Sequence, residues 1–145
     1  MKLNTAATTW LLALLMSLAI ALPAFAEGKP HKVVIQVSTA DAETQTMALN
    51  NAVNLQKELG MDNVDIEIVA YGPGLSLLTK QSEQSSRVES LAMQDISFSA
   101  CGNTMKGVAK KTGKEPVLSE GVKVVPAGVA RIMELEEQGW TYVRP

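Results

Sequence analysis

One cysteine, Cys101, occurs in the chain, and it stands at the head of the segment Cys101-Gly102-Asn103-Thr104, between a β-prone run and a helix-prone run. A thiol attacks only as its thiolate. A helix N-terminus favours that ion through its free N–H groups and the positive end of its dipole. Gly102 permits a tight turn and lets a ligand approach the backbone closely. Asn103 or Thr104 can cap the helix, and the Asn103 amide can also donate to a sulfur anion. Lys106, Lys110 and Lys111 follow on the same helix and add positive potential. On pattern alone three readings of Cys101 stay open: a small buried hydrophobe, a reactive thiol, or a modification site.

What accompanies the thiol narrows its chemistry. A cysteine hydrolase needs a histidine base, and the sole histidine, His31, precedes the first strand. The start of a strand lies at the opposite edge of a parallel sheet from its end, so His31 is expected far from Cys101. There is no Cys-x-x-Cys for dithiol exchange, and no Gly-x-Gly-x-x-Gly or Walker-type loop for a nucleotide. A single cysteine also excludes an intramolecular disulfide and a zinc site built on paired cysteines. Ser38, Thr39 and Thr44 offer a weaker signal, a phosphate site of the kind a flavin would use. An activated thiol without a base can still accept sulfane sulfur as a persulfide and pass it on, because both steps are thiolate attacks at sulfur.

The elements that position these residues are read from periodicity. Val33–Val37 is a β-branched run of strand length. From Asp41, a plausible N-cap, to Leu59 the residues Ala48, Ala52, Leu55 and Leu59 form one apolar helical stripe, closed by Gly60. Val64 to Ala70 is the second strand, followed by the turn Tyr71-Gly72-Pro73-Gly74 and a short helix over Leu75–Leu78. Arg87 to Gln94 is a second helix after a polar loop. Ile96–Ala100 is the third strand, and Met105–Lys111 the third helix. Val122–Val125 is the fourth strand, Val129, Ile132 and Met133 mark the fourth helix, and Trp140–Val143 is a short fifth strand. Alternating strands and helices predict an α/β fold with a mostly parallel sheet covered on both faces. Ligands bind such sheets beyond the carboxyl ends of the strands. Those ends carry Ser38 and Thr39, Tyr71 to Gly74, Cys101 to Thr104, and Pro126 to Gly128.

Composition sets the outer bounds. The 145 residues, 46% of them hydrophobic, are enough for one domain with a core and leave little room for two. Net charge is −2, with no basic stretch to displace counterions from phosphates, so nucleic acid is not an expected partner. Only 4% of residues are aromatic, too few for an obvious stacking surface. No cofactor and no metal are expected. At the N-terminus Lys2 precedes an apolar run of 13 residues, Trp10 to Leu22, shorter than the roughly 20 that span a bilayer. Pro23 and the small-x-small triplet Ala24-Phe25-Ala26 follow. Residues 1–26 therefore read as a secretory signal peptide cleaved after Ala26, with residues 27–145 as the mature domain, located in the periplasm and free of the membrane.

The strand Val33–Val37, the strand and turn Val64–Gly74, and the run Phe98-Ser99-Ala100-Cys101-Gly102-Asn103-Thr104-Met105 together resemble the DsrE/DsrF-like family of small sulfur-relay proteins. The likeness runs from about Lys32 to Val143. It implies a three-layer α/β/α sandwich with a five-stranded sheet, assembled as an oligomer of three or six chains. It implies that Cys101 carries persulfide sulfur, received from and passed to a donor or acceptor protein or a small thiol. Gly102, Asn103 and Thr104, with Ser38, Thr39, Tyr71 and Gly72 from neighbouring strand ends, are the expected binding residues around it. The best-known relatives work in the cytoplasm on transfer-RNA thiolation. An export signal points this chain elsewhere. The contrasting expectation is a non-catalytic oligomeric scaffold that holds a small anion or soft metal ion, with Cys101 structural or a single ligand.

Overall fold

The structure, a computed structural model, describes residues 28–145; the expected signal peptide lies outside the described residues. β1 (His31–Val37) leads to α1 (Ala42–Leu59), a 3-10 turn at Met61–Asn63 and β2 (Val64–Ala70). A 3-10 segment, Gly72–Leu78, and α2 (Ser85–Ala92) connect to β3 (Ile96–Cys101). α3 (Gly102–Thr112), β4 (Val122–Val125), α4 (Gly128–Glu137) and β5 (Thr141–Val143) complete the chain. The strands form one sheet in the order β4-β3-β2-β1-β5, and every neighbouring pair is parallel.

That order explains where the helices lie. From β1 to β4 the chain steps always the same way across the sheet, so right-handed crossovers place their helices on one face. The final link returns from β4 past three strands to β5, in the reverse direction, and the same handedness puts α4 on the opposite face. The packing follows. Ala48, Leu49 and Ala52 of α1, Leu75, Leu77 and Leu78 of the 3-10 segment, Val88 and Leu91 of α2, and Met105 of α3 share one core with Val33, Ile35, Ile66, Ile68, Ile96 and Phe98. On the other face Ile132 and Leu135 of α4 meet Val34 and Val69, with Tyr71 and Trp140 at the margin. Both faces are thus covered, as the sequence pattern implied, but unequally.

Local chemistry accounts for the ends. Asp41 caps α1 by accepting from the Thr44 backbone N–H at 2.8 Å, as expected, and the Gly60 N–H returns to the Gln56 carbonyl. α3 starts earlier than its apolar pattern indicated, at Gly102, because Cys101 itself takes the N-cap position in an extended conformation. The 3-10 segment passes so close to the end of β1 that a Cβ on Gly74 would collide with the Val37 carbonyl.

The sparse face carries a partly buried ion pair. Glu67, on β2, is 4% exposed. It accepts from Arg131 of α4 at 2.8 Å (Nε to Oε1) and 2.7 Å (Nη2 to Oε2), and from the Ser99 hydroxyl of β3 at 2.7 Å. Burial opposes ionisation of this carboxyl most strongly. Hydrogen bonds from Arg131 and Ser99, with the charges of Arg131 and Lys123, outweigh it and hold the group below the usual glutamate range.

Two predictions follow from these contacts. Gly74→Ala should lower stability by about 1–3 kcal/mol through backbone overlap, whereas Gly107→Ala, with open space at its Cβ on α3, should raise it by up to about 1 kcal/mol, both read by denaturant unfolding. Ionised Glu67 contributes stability that is complete above its unfolded-state pKa and is lost as pH falls through its lower folded value. The stability gap between wild type and Glu67→Gln should therefore be full at neutral pH and close in acid. A gap independent of pH would contradict this.

Candidate functional site

β3 ends at Cys101, and the chain turns directly into α3. Gly102 allows this tight passage. A Cβ there would stand 3.1 Å from the Val125 carbonyl oxygen and 3.5 Å from that of Pro126, so the start of α3 lies against the end of β4. The Asn103 N–H donates to the Pro126 carbonyl at 3.2 Å, which ties the two strand ends together. α4 begins just beyond, at Gly128. Its own Cβ position would meet Tyr71 Cβ at 3.1 Å and Cys101 Cβ at 3.3 Å. Only a glycine brings α4 this near the sulfur.

Two helix N-termini therefore converge on one thiol. Neither α3 nor α4 has a side-chain cap, so their first N–H groups are left for other acceptors. Burial is the largest influence on Cys101 and raises its pKa. The Thr104 hydroxyl and the backbone N–H groups of Gly128, Thr104 and Asn103 act the other way, and together they hold the thiol below its ordinary value. The Thr104 hydroxyl is itself oriented, because its oxygen accepts from the Gly72 N–H at 2.9 Å. Its proton is then free to point at sulfur. Cys101 is 6% exposed; Asn103 and Pro126 beside it are exposed and Tyr71 is half-buried.

The residues singled out in the sequence separate into two groups. Gly102, Asn103, Thr104, Tyr71 and Gly72 gather around Cys101. Thr104 brings its hydroxyl to the sulfur's side, where it favours the thiolate, while the cap position belongs to Cys101. Ser38 and Thr39 sit at the same sheet edge with their contacts directed elsewhere. The Ser38 hydroxyl accepts from the Gln36 amide at 3.2 Å, and the Thr39 hydroxyl accepts from the Asp41 N–H at 3.1 Å. Thr44 is engaged as well, since both its N–H and its hydroxyl donate to the Asp41 carboxylate. The anion at the mouth of α1 is thus a side chain of this protein, in the place a phosphate would need. Lys106, Lys110 and Lys111 are exposed. Among the described residues, no three His, Cys, Asp or Glu side chains come together as a metal site, and no helix is long and apolar enough to cross a membrane.

Arg131, Glu67 and Ser99 were not singled out in the sequence, and Gly128 was placed at a strand end without a role. A glycine two residues after Pro126, at a strand end, was the available signal for Gly128. For Glu67 the signal was a lone acid inside the apolar run Ile66–Ala70.

The geometry sets the direction of two substitutions. Thr104→Val removes the hydroxyl donor, and Gly128→Ala forces the mouth of α4 away from the sulfur. Each should raise the pH at which Cys101 is half alkylated by iodoacetamide, toward or past the free value of about 8.5. A wild-type profile in both would contradict this account of the thiolate.

Residues 31–145 match the model of the DsrE/DsrF-like family. The fold is similar to that of MTH1491, a protein of unknown function from Methanobacterium thermoautotrophicum, with 35% identity, a TM-score of 0.72, and 79% of this chain and 99% of that chain covered. It is also similar to the ychN protein of E. coli, with a TM-score of 0.64 at 17% identity over 79% of this chain and 99% of that one, a likeness of fold alone. No curated protein matches the chain. With a family match across every strand and helix of the described fold, the chain belongs to the DsrE/DsrF-like family.

Proposed function

We propose that this protein is a sulfur carrier whose Cys101 accepts and donates sulfane sulfur. The observation that carries the reading is the placement of the one free thiol where the uncapped N-termini of α3 and α4 meet, with Gly128 packed against Cys101. Family membership supports sulfur relay in general.

The step is a simple exchange. The Cys101 thiolate attacks the terminal sulfur of a donor persulfide, R–S–SH. The donor S–S bond breaks, a new S–S bond forms on Cys101, and the donor leaves as the thiolate R–S⁻. The products are Cys101–S–SH and R–S⁻, so no outside oxidant or reductant takes part. Transfer onward repeats the attack, with an acceptor thiolate as nucleophile and Cys101 as leaving group. A low thiol pKa suits both directions. It keeps Cys101 ionised for attack and makes it a good leaving group. The small exposure of Cys101 favours a slender terminal sulfur atom over a bulky electrophile.

The reading extends to location and assembly. The Trp10–Ala26 pattern supports export to the periplasm and cleavage after Ala26. Exposed Val129 and Met133 on α4, and exposed Val124 on β4, support self-association of copies, and the family resemblance implies a trimer or hexamer. The partner is a donor or acceptor protein thiol, or a small thiol.

The test is a mass measurement. Mature protein treated with inorganic polysulfide should gain about 32 Da, one sulfur atom, removable by dithiothreitol and absent from Cys101→Ser. An adduct of the same size on Cys101→Ser, or none on wild type, would overturn the proposal.

A further inference from the structure

We propose that the Glu67–Arg131 ion pair is the positioning device of the Cys101 site, holding the mouth of α4 against β3 so that the Gly128 N–H meets the sulfur. This inference rests on the reading of Cys101 as an activated thiol.

The contacts close a ring. Cys101 and Ser99 stand two residues apart on β3 and share the face that α4 covers. Ser99 donates to Glu67 at 2.7 Å on the adjacent strand, and Glu67 takes both arms of the Arg131 fork at 2.8 and 2.7 Å. The Arg131 N–H makes the first backbone bond of α4, to the Ala127 carbonyl at 3.0 Å, so its side chain rises one turn from Gly128. Gly128 lies against Cys101. Glu67 thus grips the strand that bears the nucleophile and the helix that stabilises it.

Apart from Gly128, packed against Tyr71 and Cys101, and the Asn103 bond to Pro126 just before it, the first turn of α4 has little else to hold it. Its buried apolar residues, Ile132 and Leu135, lie beyond Arg131, while Val129 is 54% exposed and Ala130 is exposed. No side chain caps this end. Ile132 and Leu135 fix the body of the helix on the sheet but do not reach its mouth. A two-armed arginine–carboxylate contact constrains both distance and angle. A buried ion pair gives little net stability over well-packed apolar groups, so its use on this sparse face is better explained by geometry than by strength. The other charges near the pair are Lys123 of β4, facing Glu67, and Glu134 of α4, whose carboxylate lies 3.5 Å from Arg131 Nη1.

The experiment measures the rate of Cys101 alkylation by iodoacetamide against pH in the whole mature protein, with far-UV circular dichroism to show that each variant is folded. Arg131→Lys keeps the charge and loses the fork. Glu67→Gln keeps the shape and loses the ion pair. Both should displace the profile upward and slow the reaction at neutral pH about threefold or more, through a smaller thiolate fraction. The sign for Glu67→Gln is decisive. Removing a nearby negative charge would by itself favour the thiolate and speed the reaction, so a faster rate overturns the proposal. A wild-type profile in folded Arg131→Lys overturns it as well, and that variant decides alone if Glu67→Gln does not fold. An ordinary thiol profile in the wild type would instead overturn the reading of Cys101 itself, a result that the variants cannot mimic.

Discussion

The handedness of β-α-β connections governs what the rest of this molecule can do. Three links in one direction stack α1, α2 and α3 over one face of the sheet, and a single reversed link sends α4 to the other. Because that reversed link leaves from the end of β4, beside the end of β3, its helix opens next to the helix that follows β3. Two dipoles pointing at one spot are a product of strand order before they are a product of any particular side chain. Cys101 occupies that spot.

The cost of such an arrangement is a set of unpaired N–H groups in a half-buried place. Capping residues would satisfy them, as Asp41 does at the mouth of α1. At α3 and α4 no side chain does so. The thiol takes over part of that role, and its ionised form does so better than the neutral one. Activation of Cys101 and satisfaction of the two helix ends are therefore one electrostatic fact, since a thiolate is the acceptor that the donors lack. Thr104 shows the same economy: one hydroxyl receives the Gly72 N–H and serves the sulfur.

Much of this could be read from the chain before any coordinates. The β-branched runs, the apolar stripe of α1 with Asp41 and Gly60 at its ends, and the lone cysteine at a strand-to-helix junction all report local chemistry, and periodicity exposes it. The start of α3 was harder, because Gly102-Asn103-Thr104 has no apolar periodicity; what places those residues in the helix is the hydrogen bond from Asn103 to Pro126, a contact between distant segments. Gly128 was legible as a strand-end residue, but its closeness to the sulfur was not, for the same reason. Its small size matters only because Tyr71 and Cys101 stand against it. Glu67 and Arg131 are 64 residues apart, and no spacing rule connects an acid in one strand with a base in a helix that crosses over it. Thr39 and Thr44 looked like phosphate ligands because hydroxyls at a strand end often are. Their engagement with Asp41 is a local turn that the same residues encode equally well.

The unequal layers have a consequence for how the molecule breathes. A large cluster binds α1, α2 and the 3-10 segment, whereas α4 rests on a handful of apolar residues and one ion pair. Amide exchange should therefore find α4, on the smaller cluster, opening at lower free energy than α1, on the larger one. The thinner cover of the sheet is thus the one lying over its only sulfur nucleophile. Partial detachment of that cover uncovers the thiol while the main core stays folded.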